Sequence, residues 1–557
     1  MRVADFFCGG GGFSEGFRQA GFQLVFAVDK WEPAVNTYKG NKPGVNAILD
    51  DVIRISELND DEFDKLIPDT EVIIGSPPCQ AFSHSNKSGK ADKELGIKLI
   101  KAYLRIIARK KFKQGSILKY WVLENVPNVR NYIEESYTAT DLELEGDFIL
   151  VAKSKSSGIY NAKHFGAPTN RERYLCGEFP IPKKTHEDNQ VVTLRSVLEA
   201  LGKPINATKK PIVDVNYSDL VLSYDELTDH HYVFGLQEFE WKTAKRLKLD
   251  KGYMGKMSFP ENLDKPSRTV MATMSASSRE SMILDDGEGG FRLPTVREAA
   301  SMMSFPIDYR FYGSTASIKH TLVGNAVPPK LSYAIAKAII EAESQNVPKH
   351  YKKITHSQEI PFINLNGKVF EAKKEKHKRD VSKFKYHIPY LILSAFRVEL
   401  TNYHSEFDKK NFRWDAEIHY SQGQRAALYT PDFNEILIDK IHIKKVENYL
   451  YSISPHLLSF SEFQKVFCMT STEREERDLW GPYELLDDIK KHIVQTISED
   501  ERCQLIESPA IQIKTKSKMR IGKVPMAILY GYYLLKKTIK IMEEKSNGRN
   551  DTQAKIN

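Results

Sequence analysis

The run Arg2-Val3-Ala4-Asp5-Phe6-Phe7-Cys8-Gly9-Gly10-Gly11-Gly12-Phe13-Ser14 opens the chain and decides how its first half is read. A short apolar, strand-like segment ends in four glycines, and a helical pattern begins near Ser14. Glycines at such a turn let the backbone bend sharply and approach a ligand, while the helix start offers unpartnered amides. Taken alone, the run reads equally as a flexible turn. Its surroundings favour a binding turn: Leu24 to Val28 is a second strand-like run, Asp29 stands at its end, and Asp51 follows the next apolar stretch. In nucleotide-binding folds an acid after the second strand holds ribose hydroxyls. A second acid beside an adenine amino group suits a nucleoside cofactor without a phosphate, of which S-adenosylmethionine is one.

Further strand-like runs follow at Val72 to Ile74 and Tyr120 to Leu123, with helical patterns such as Leu99 to Ala108 between some of them. The alternation predicts an α/β domain, Rossmann-like, with a mostly parallel sheet, helices on both faces and ligands at the carboxyl ends of strands. From Lys203 to about Asp286 the pattern breaks into mixed polar, aromatic and Gly/Pro-containing stretches, as in a smaller irregular domain. Helical periodicity returns at Thr295 to Met303 and Leu331 to Ala342. After Gln345 come a polar connection, a basic stretch (Lys373, Lys374, Lys376, Lys378, Arg379, Lys383, Lys385) and a further region of folded composition, expected to be a separate α+β domain.

Bulk properties agree. A chain of 557 residues exceeds what one core organises, which predicts two or three units. Hydrophobic residues at 41%, charged residues at 28% and a mean hydropathy of −0.44 exclude a disordered class. No apolar run approaches the ~18 to 20 residues of a membrane span, and Met1-Arg2 leads directly into a strand-like segment, so a cytoplasmic protein without membrane contact is expected. Cysteines at 8, 79, 176, 468 and 503 fit neither a disulfide framework nor a zinc site. His230 and His231 are adjacent rather than spaced as metal ligands, and no metal is expected. The net charge of +8 suits a polyanionic partner and equally a solvated surface.

Three segments carry candidate chemistry. Gly75-Ser76-Pro77-Pro78-Cys79-Gln80-Ala81-Phe82-Ser83 follows a strand, and its two prolines stiffen the turn that presents Cys79. That presentation suits a nucleophile; a lone cysteine is otherwise an inert buried thiol. Glu124-Asn125-Val126-Pro127 puts a carboxyl at a strand's end, where it faces the same cleft or serves as a surface acid or cap. In Phe165-Gly166-Ala167-Pro168-Thr169-Asn170-Arg171-Glu172-Arg173, arginines two apart on an extended segment point the same way, toward a phosphate, a pyrimidine carbonyl or a salt-bridged surface.

In order and spacing these segments resemble the cytosine-5 DNA methyltransferase family of bacterial restriction-modification type. The resemblance spans Met1 to Ala342 and continues through Pro294-Thr295-Val296-Arg297-Glu298-Ala299-Ala300 and Val323-Gly324-Asn325-Ala326-Val327-Pro328-Pro329. It implies that Cys79 attacks carbon 6 of a flipped-out cytosine, Glu124 holds N3 and the exocyclic amino group, Arg173 contacts O2 and Arg171 supports the arrangement. It implies S-adenosyl-L-methionine as cofactor, released as S-adenosyl-L-homocysteine. Phe7, Gly9 and Gly11 would surround its methionine and adenosine parts, with Asp29 on the ribose and Asp51 and Val52 against adenine. Pro78 and Leu99 would add walls, and Asn325 and Val327 would complete the site. Residues 81 to 98, with Ser83, Ser85, Lys87, Lys90 and Lys93, would close over double-stranded DNA, helped by Gln80.

By the same resemblance the chain divides into a catalytic domain at 1–202, completed by 317–345, a target-recognition domain and return segment at 203–316, and an accessory domain at 346–557. Lys265, Arg268 and Thr269, in Lys265-Pro266-Ser267-Arg268-Thr269-Val270, resemble the start of the element that reads DNA. Ser76 and Ala81 replace glycines common in the family, and Thr169 replaces the usual glutamine, which puts base or loop positioning in question. A nuclease fused at the carboxyl end is suggested by Pro431-Asp432 with Glu435 and Asp439, but the lysine such a centre needs is missing. A DNA-grip, partner-binding or oligomerisation module fits better, with Lys373 to Lys385 as phosphate contacts or as a solvated linker. The implied function is sequence-specific methylation protecting DNA from a separately encoded cognate restriction endonuclease, in a bacterium or phage. The rivals are an RNA cytosine methyltransferase and a catalytically dead DNA-binding regulator.

Overall fold

A computed structural model describes the chain except residues 80–81, 83–91, 206–209, 251–256, 421–426, 432–439, 515–518 and 554–557. It divides into two compact units, Met1–Leu236 with Pro260–Glu371, and Gln237–Phe259 with Ala372–Asn557.

The first unit is built on seven strands: β1 (Arg2–Phe6), β2 (Gln23–Asp29), β3 (Asn46–Leu49), β4 (Val72–Gly75), β5 (Tyr120–Asn125), β6 (Gly158–Asn161) and β7 (Glu172–Glu178). Their order is β3-β2-β1-β4-β5-β7-β6. The first five run parallel, and β7 is antiparallel to both neighbours. Every residue of β4 is buried, as expected of a central strand covered on both faces.

One face is covered by the helix Lys93–Phe112. Asp92 caps it by accepting from the amides of Glu94 and Leu95, and the Tyr103 hydroxyl donates to the Val122 carbonyl at 2.8 Å. Tyr103 lies so close to β4 that a Cβ on Gly75 would stand 2.4 Å from its ring. The other face carries Gly12–Gln19 and the distant helix Pro329–Ala342, which meet where a Cβ on Gly16 would lie 2.1 Å from Ser332 Oγ. Phe13, Phe17, Ile335 and Ile339 pack there on Val3, Val72, Ile74 and Val122. The alternation expected from the sequence is thus the sheet that forms.

The stretch between β7 and the return helix is held by few regular elements and by buried charge. Lys319 Nζ pairs with Asp229 at 2.7 Å, and the buried Arg297 donates to the carbonyls of Thr228, Pro306 and Tyr309. Ile354 and Leu365 belong to the same hydrophobic cluster as Leu194, Phe305 and Leu322. Residues 346–371 therefore lie with the first unit, whereas the sequence suggested a boundary after 345. His230 is buried, accepts or donates at Thr295 Oγ1 and the Gly202 carbonyl, and is pushed down to about 4 by burial; His231 stacks on Tyr224.

The second unit is α+β. Six antiparallel strands, Lys385–His387, Phe396–Thr401, Asp415–Tyr420, Ala427–Pro431, Leu505–Lys514 and Met519–Pro525, pair in chain order. Trp414, Phe463, Phe467, Leu486, Ile489, Ile528 and Leu534 form part of its core. The helix Glu238–Leu249 belongs to this unit although the chain around it belongs to the first: Arg246 lies over the Tyr483 ring at 4.0 Å, and Asp250 accepts from Tyr386 Oη at 2.8 Å. The basic stretch is partly engaged within the unit. Lys373 pairs with Glu240, Lys378 lies over Phe467, and Lys385 sits within 3.3 Å of Glu399, Glu417 and His419. That trio is the group among the described residues with metal-ligand spacing, and the Lys385 ammonium already lies between its atoms. Asp432, Glu435 and Asp439 lie outside the described residues.

Candidate active site

Phe6 stands opposite Gly75 and Gly75 opposite Leu123, so the turns after β1, β4 and β5 leave the sheet side by side. Because β7 runs the other way, its first residues lie beside the end of β5, with Tyr174 opposite Asn125. Sheet topology alone thus gathers segments from residues 7, 76, 124 and 173 at one edge.

Cys79 is partly exposed on a turn held at several points. Ser76 N donates to the Phe6 carbonyl at 3.2 Å, and Asn125 Nδ2 donates to the Pro77 carbonyl at 2.9 Å. Beyond it, Phe82 N donates to the Cys79 carbonyl at 3.0 Å, Asn128 Nδ2 donates to the Phe82 carbonyl, and the buried Phe82 ring packs on Tyr132. The prolines supply stiffness, and the two asparagines fix where the turn sits. Neither asparagine was singled out from sequence, although both stand in Glu124-Asn125-Val126-Pro127-Asn128. Gln80, Ser83, Ser85, Lys87 and Lys90 lie outside the described residues; Lys93 Nζ reaches Tyr132 Oη at 3.3 Å.

Glu124 and Arg173 meet directly, Arg173 Nε donating to Glu124 Oε1 at 2.8 Å with both side chains nearly buried. Burial holds the Glu124 carboxyl above the usual carboxylate range, against the pull of Arg173 and Arg171. Arg171 points elsewhere. Its guanidinium donates to the carbonyls of Val270 at 3.2 Å, Gly324 at 2.9 Å and Ala326 at 3.1 Å. Burial and then the Arg173 charge lower its pKa, while the charges of Glu124 and Cys79 oppose that shift, so all four groups share one electrostatic environment. Thr169 is fully buried, and Oγ1 donates to the Arg268 carbonyl at 3.2 Å. Together with Ser267 N on the Pro168 carbonyl and Thr269 Oγ1 on the Asn170 carbonyl, this laces residues 267–270 onto 168–171. Arg268 pairs with the buried Glu261 at 2.8 Å, and of Lys265, Arg268 and Thr269 only Lys265 is exposed. Within the described geometry Arg268 and Thr269 are bonded to the protein.

At the glycine turn the four glycines differ. A Cβ on Gly9 would meet nothing within 4 Å, whereas Gly10 faces the Leu322 carbonyl, Gly11 the Tyr309 hydroxyl and Lys42, and Gly12 the Val327 carbonyl at 2.3 Å. Gly9 therefore borders open space, and the others close the turn against the return segment. Phe7 and Gly9 both take positive φ, 56° and 50°, which re-aims the backbone at the end of β1. Asp29 accepts from Gly9 N and Trp31 N, both at 2.9 Å, and burial raises its pKa. Asp51 caps the helix Val52–Ser56 through Ile53 N at 2.8 Å; Val52 and Leu99 are buried, and Pro78 and Asn325 are exposed. Behind the turn the Asp5 carboxyl is buried, and burial pushes it up to about 8 against the opposing pull of Ser14 and Lys42. The Tyr309 hydroxyl donates to the Gly10 carbonyl at 2.6 Å and accepts from Lys42. An open cradle at Gly9 with an acid bonded to its amide fits a nucleoside-bearing cofactor.

Comparisons with known proteins address the same region. A family model described as C-5 cytosine-specific DNA methylase matches residues 1–341. Type II methyltransferase M.MthTI of Methanothermobacter thermautotrophicus is 29% identical over 351 residues, covering 61% of this chain and 97% of that protein. Type II methyltransferase M.NgoFVII of Neisseria gonorrhoeae is 28% identical over 405 residues, covering 66% and 94%. Type II methyltransferase M1.HphI of Haemophilus parahaemolyticus is 27% identical over 358 residues, covering 61% and 87%. The matched span holds the parallel sheet, the glycine turn, the stiffened cysteine turn and the Glu124–Arg173 pair, and with it the chain belongs to the C-5 cytosine-specific DNA methylases, DNA cytosine-5-methyltransferases.

Proposed function

We propose that the first unit methylates carbon 5 of a cytosine flipped out of duplex DNA through a covalent bond from Cys79. The observation that carries this reading is the convergence of the Cys79 turn with the buried Glu124–Arg173 pair at the carboxyl ends of β4 and β5. Cys79 as thiolate forms a bond to carbon 6, and the electron pair of the C5–C6 double bond moves toward carbon 5 and the N3–C2–O2 system. Burial raises the Glu124 pKa, which favours proton donation in this step: Glu124 in its acid form delivers a proton to N3 while Arg173 balances charge at O2. Arg171, bonded to three carbonyls, acts as a positioning residue beneath that pair.

S-adenosyl-L-methionine would be held by the Phe7-to-Gly9 turn, Asp29, Asp51 and Val52, and it supplies an electrophilic methyl group to carbon 5. Loss of the carbon 5 proton to water or hydroxide then restores the double bond and expels the Cys79 thiolate, and the N3 proton returns to Glu124. The relatives named type II methyltransferases support a restriction-modification role, with a target site read by the region after β7 and a separately encoded nuclease as companion.

Transfer of labelled methyl groups to unmethylated duplex DNA, followed by bisulfite sequencing, tests the reading. The expected result is 5-methylcytosine at one short motif, absent with Cys79→Ser. Transfer to RNA alone, or transfer unaffected by Cys79→Ser, would overturn it.

A further inference from the structure

The second unit holds a basic cleft of about 930 Å³ that the methyl-transfer site does not use. Its lining carries four lysine or arginine side chains, Arg413, Lys536, Lys537 and Lys540, against two carboxylates, Asp415 and Glu543. Three of the cations stand with Tyr533 at helical spacing on one face of the helix Met526–Gln553. Arg413, exposed, faces them from the connection before the strand Asp415–Tyr420, with His404 beside it. The floor is rigid: Trp414 and Phe460 are buried, and Trp414 packs edge-on against Phe463 at 4.7 Å.

The cations are arranged rather than scattered. Lys536 pairs with Asp415, which anchors one end of the row to the sheet, and the ammonium groups of Lys536 and Lys537 lie over the Tyr532 and Tyr533 rings at 5.6 and 5.4 Å. Both ammonium groups are thus held against aromatic rings, and both lysines line the cleft. From Lys536 to Lys540 the row advances about 6 Å along the helix axis. Successive phosphates of one DNA strand advance about 3.4 Å along the duplex axis, so the row spans one or two of them.

We propose that this cleft grips the phosphodiester backbone of duplex DNA, giving the enzyme a second, sequence-independent hold on its substrate. A family whose substrate is DNA supplies the polyanion, and the lining, with four cations against two carboxylates and with aromatic rings, suits phosphates without base recognition. In the basic stretch 373–385, Lys373 pairs with Glu240 and Lys385 with Glu399, as Lys536 does with Asp415; what distinguishes the cleft is that its cations line one concave surface.

The test uses the full chain and a short random-sequence duplex, so that it does not depend on methyl transfer. Arg413→Gln/Lys537→Gln/Lys540→Gln should weaken binding about tenfold or more at moderate salt and flatten the plot of log affinity against log salt by about 2 to 3, because each phosphate contact contributes roughly 0.9 to that slope. The kcat on a saturating short target duplex should stay within twofold of the parent. Acetylation of the unaltered protein provides a second readout: duplex DNA should protect Lys537 and Lys540, and a free nucleoside triphosphate should not. Unchanged affinity and salt slope, or protection by the nucleoside triphosphate alone, would overturn the proposal.

Discussion

Thr169 Oγ1 donates to the main-chain carbonyl of Arg268 at 3.2 Å, which ties the segment that ends in Arg173 to the start of the region after β7. A buried hydroxyl with one good acceptor is worth about 1 kcal/mol, and a larger side chain at a fully buried position costs about 1 to 3 kcal/mol by overpacking. Thr169→Val should therefore lower stability by about 1 kcal/mol. It should also raise KM for DNA more than it lowers kcat. Thr169→Gln, the residue usual in the family, should be the more damaging change here. Thermal unfolding and steady-state methyl transfer on the same samples check both.

Removing the acid of the Glu124–Arg173 pair separates its two roles. Glu124→Gln keeps the shape but cannot protonate N3, so kcat should fall by about 10² to 10⁴. A covalent protein–DNA adduct on duplex carrying fluorine at carbon 5 should form with the parent, form slowly with Glu124→Gln, and be absent with Cys79→Ser. An adduct in the Cys79→Ser protein would remove that cysteine from the mechanism.

The Glu124 shift also predicts a pH limb. Its pKa is raised by burial, so the proton is present at low pH and is lost as pH rises through that raised value. The log of kcat/KM for DNA should consequently turn down on the alkaline side in the parent. That limb should be missing from the residual activity of Glu124→Gln; the same turn-down in both would assign it elsewhere.

Asp5 gives a stability prediction of the same sign. With its carboxyl raised from 3.8 to about 8, the folded chain binds more protons than the unfolded chain between those values. Stability contributed by the neutral acid is intact below the ordinary carboxylate range, declines by up to about 1.4 kcal/mol per pH unit, and is gone above about pH 8. Asp5→Asn should flatten the fall of Tm between pH 5 and pH 8. A parallel fall in both proteins would place the lost protons on other groups.

The glycine turn offers a paired comparison. Gly12→Ala meets the Val327 carbonyl at 2.3 Å and should lower Tm strongly. Gly9→Ala meets no atom, so its strain at positive φ should cost only about 1 to 2 kcal/mol, while cofactor affinity should drop at least tenfold because the methyl fills the open cradle. Isothermal titration with S-adenosylmethionine beside thermal unfolding distinguishes the two effects.

The parallel strands were legible because buried central strands are written as short apolar runs, and β1, β2, β4 and β5 fall where those runs stand. The cysteine turn and the carboxyl of Glu124 were legible because Pro and strand ends leave local marks. What was not legible depended on partners far along the chain. Nothing beside Arg171 in sequence announces that its guanidinium ends on carbonyls at 270, 324 and 326. Nothing beside Arg268 in sequence announces Glu261 as its partner. The continuation of the first unit past 345 is hidden for the same reason: the polar composition of 346–371 conceals that Ile354 and Leu365 share a core with Leu194.

The helix Glu238–Leu249 has a consequence for how this protein is made. It leaves the ribosome with the first unit, but its partners Tyr386 and Tyr483 are synthesised only after residue 371. Chains are completed at about 5 to 20 residues per second, so for seconds Arg246 and Asp250 wait without the tyrosines they meet in the folded unit. The accessory unit is therefore assembled from two separate stretches of the chain rather than from one. Ending translation at 345 or 371 would yield a methylase body carrying an orphan helix, and the fusion of these two units has no single seam at which it could be undone.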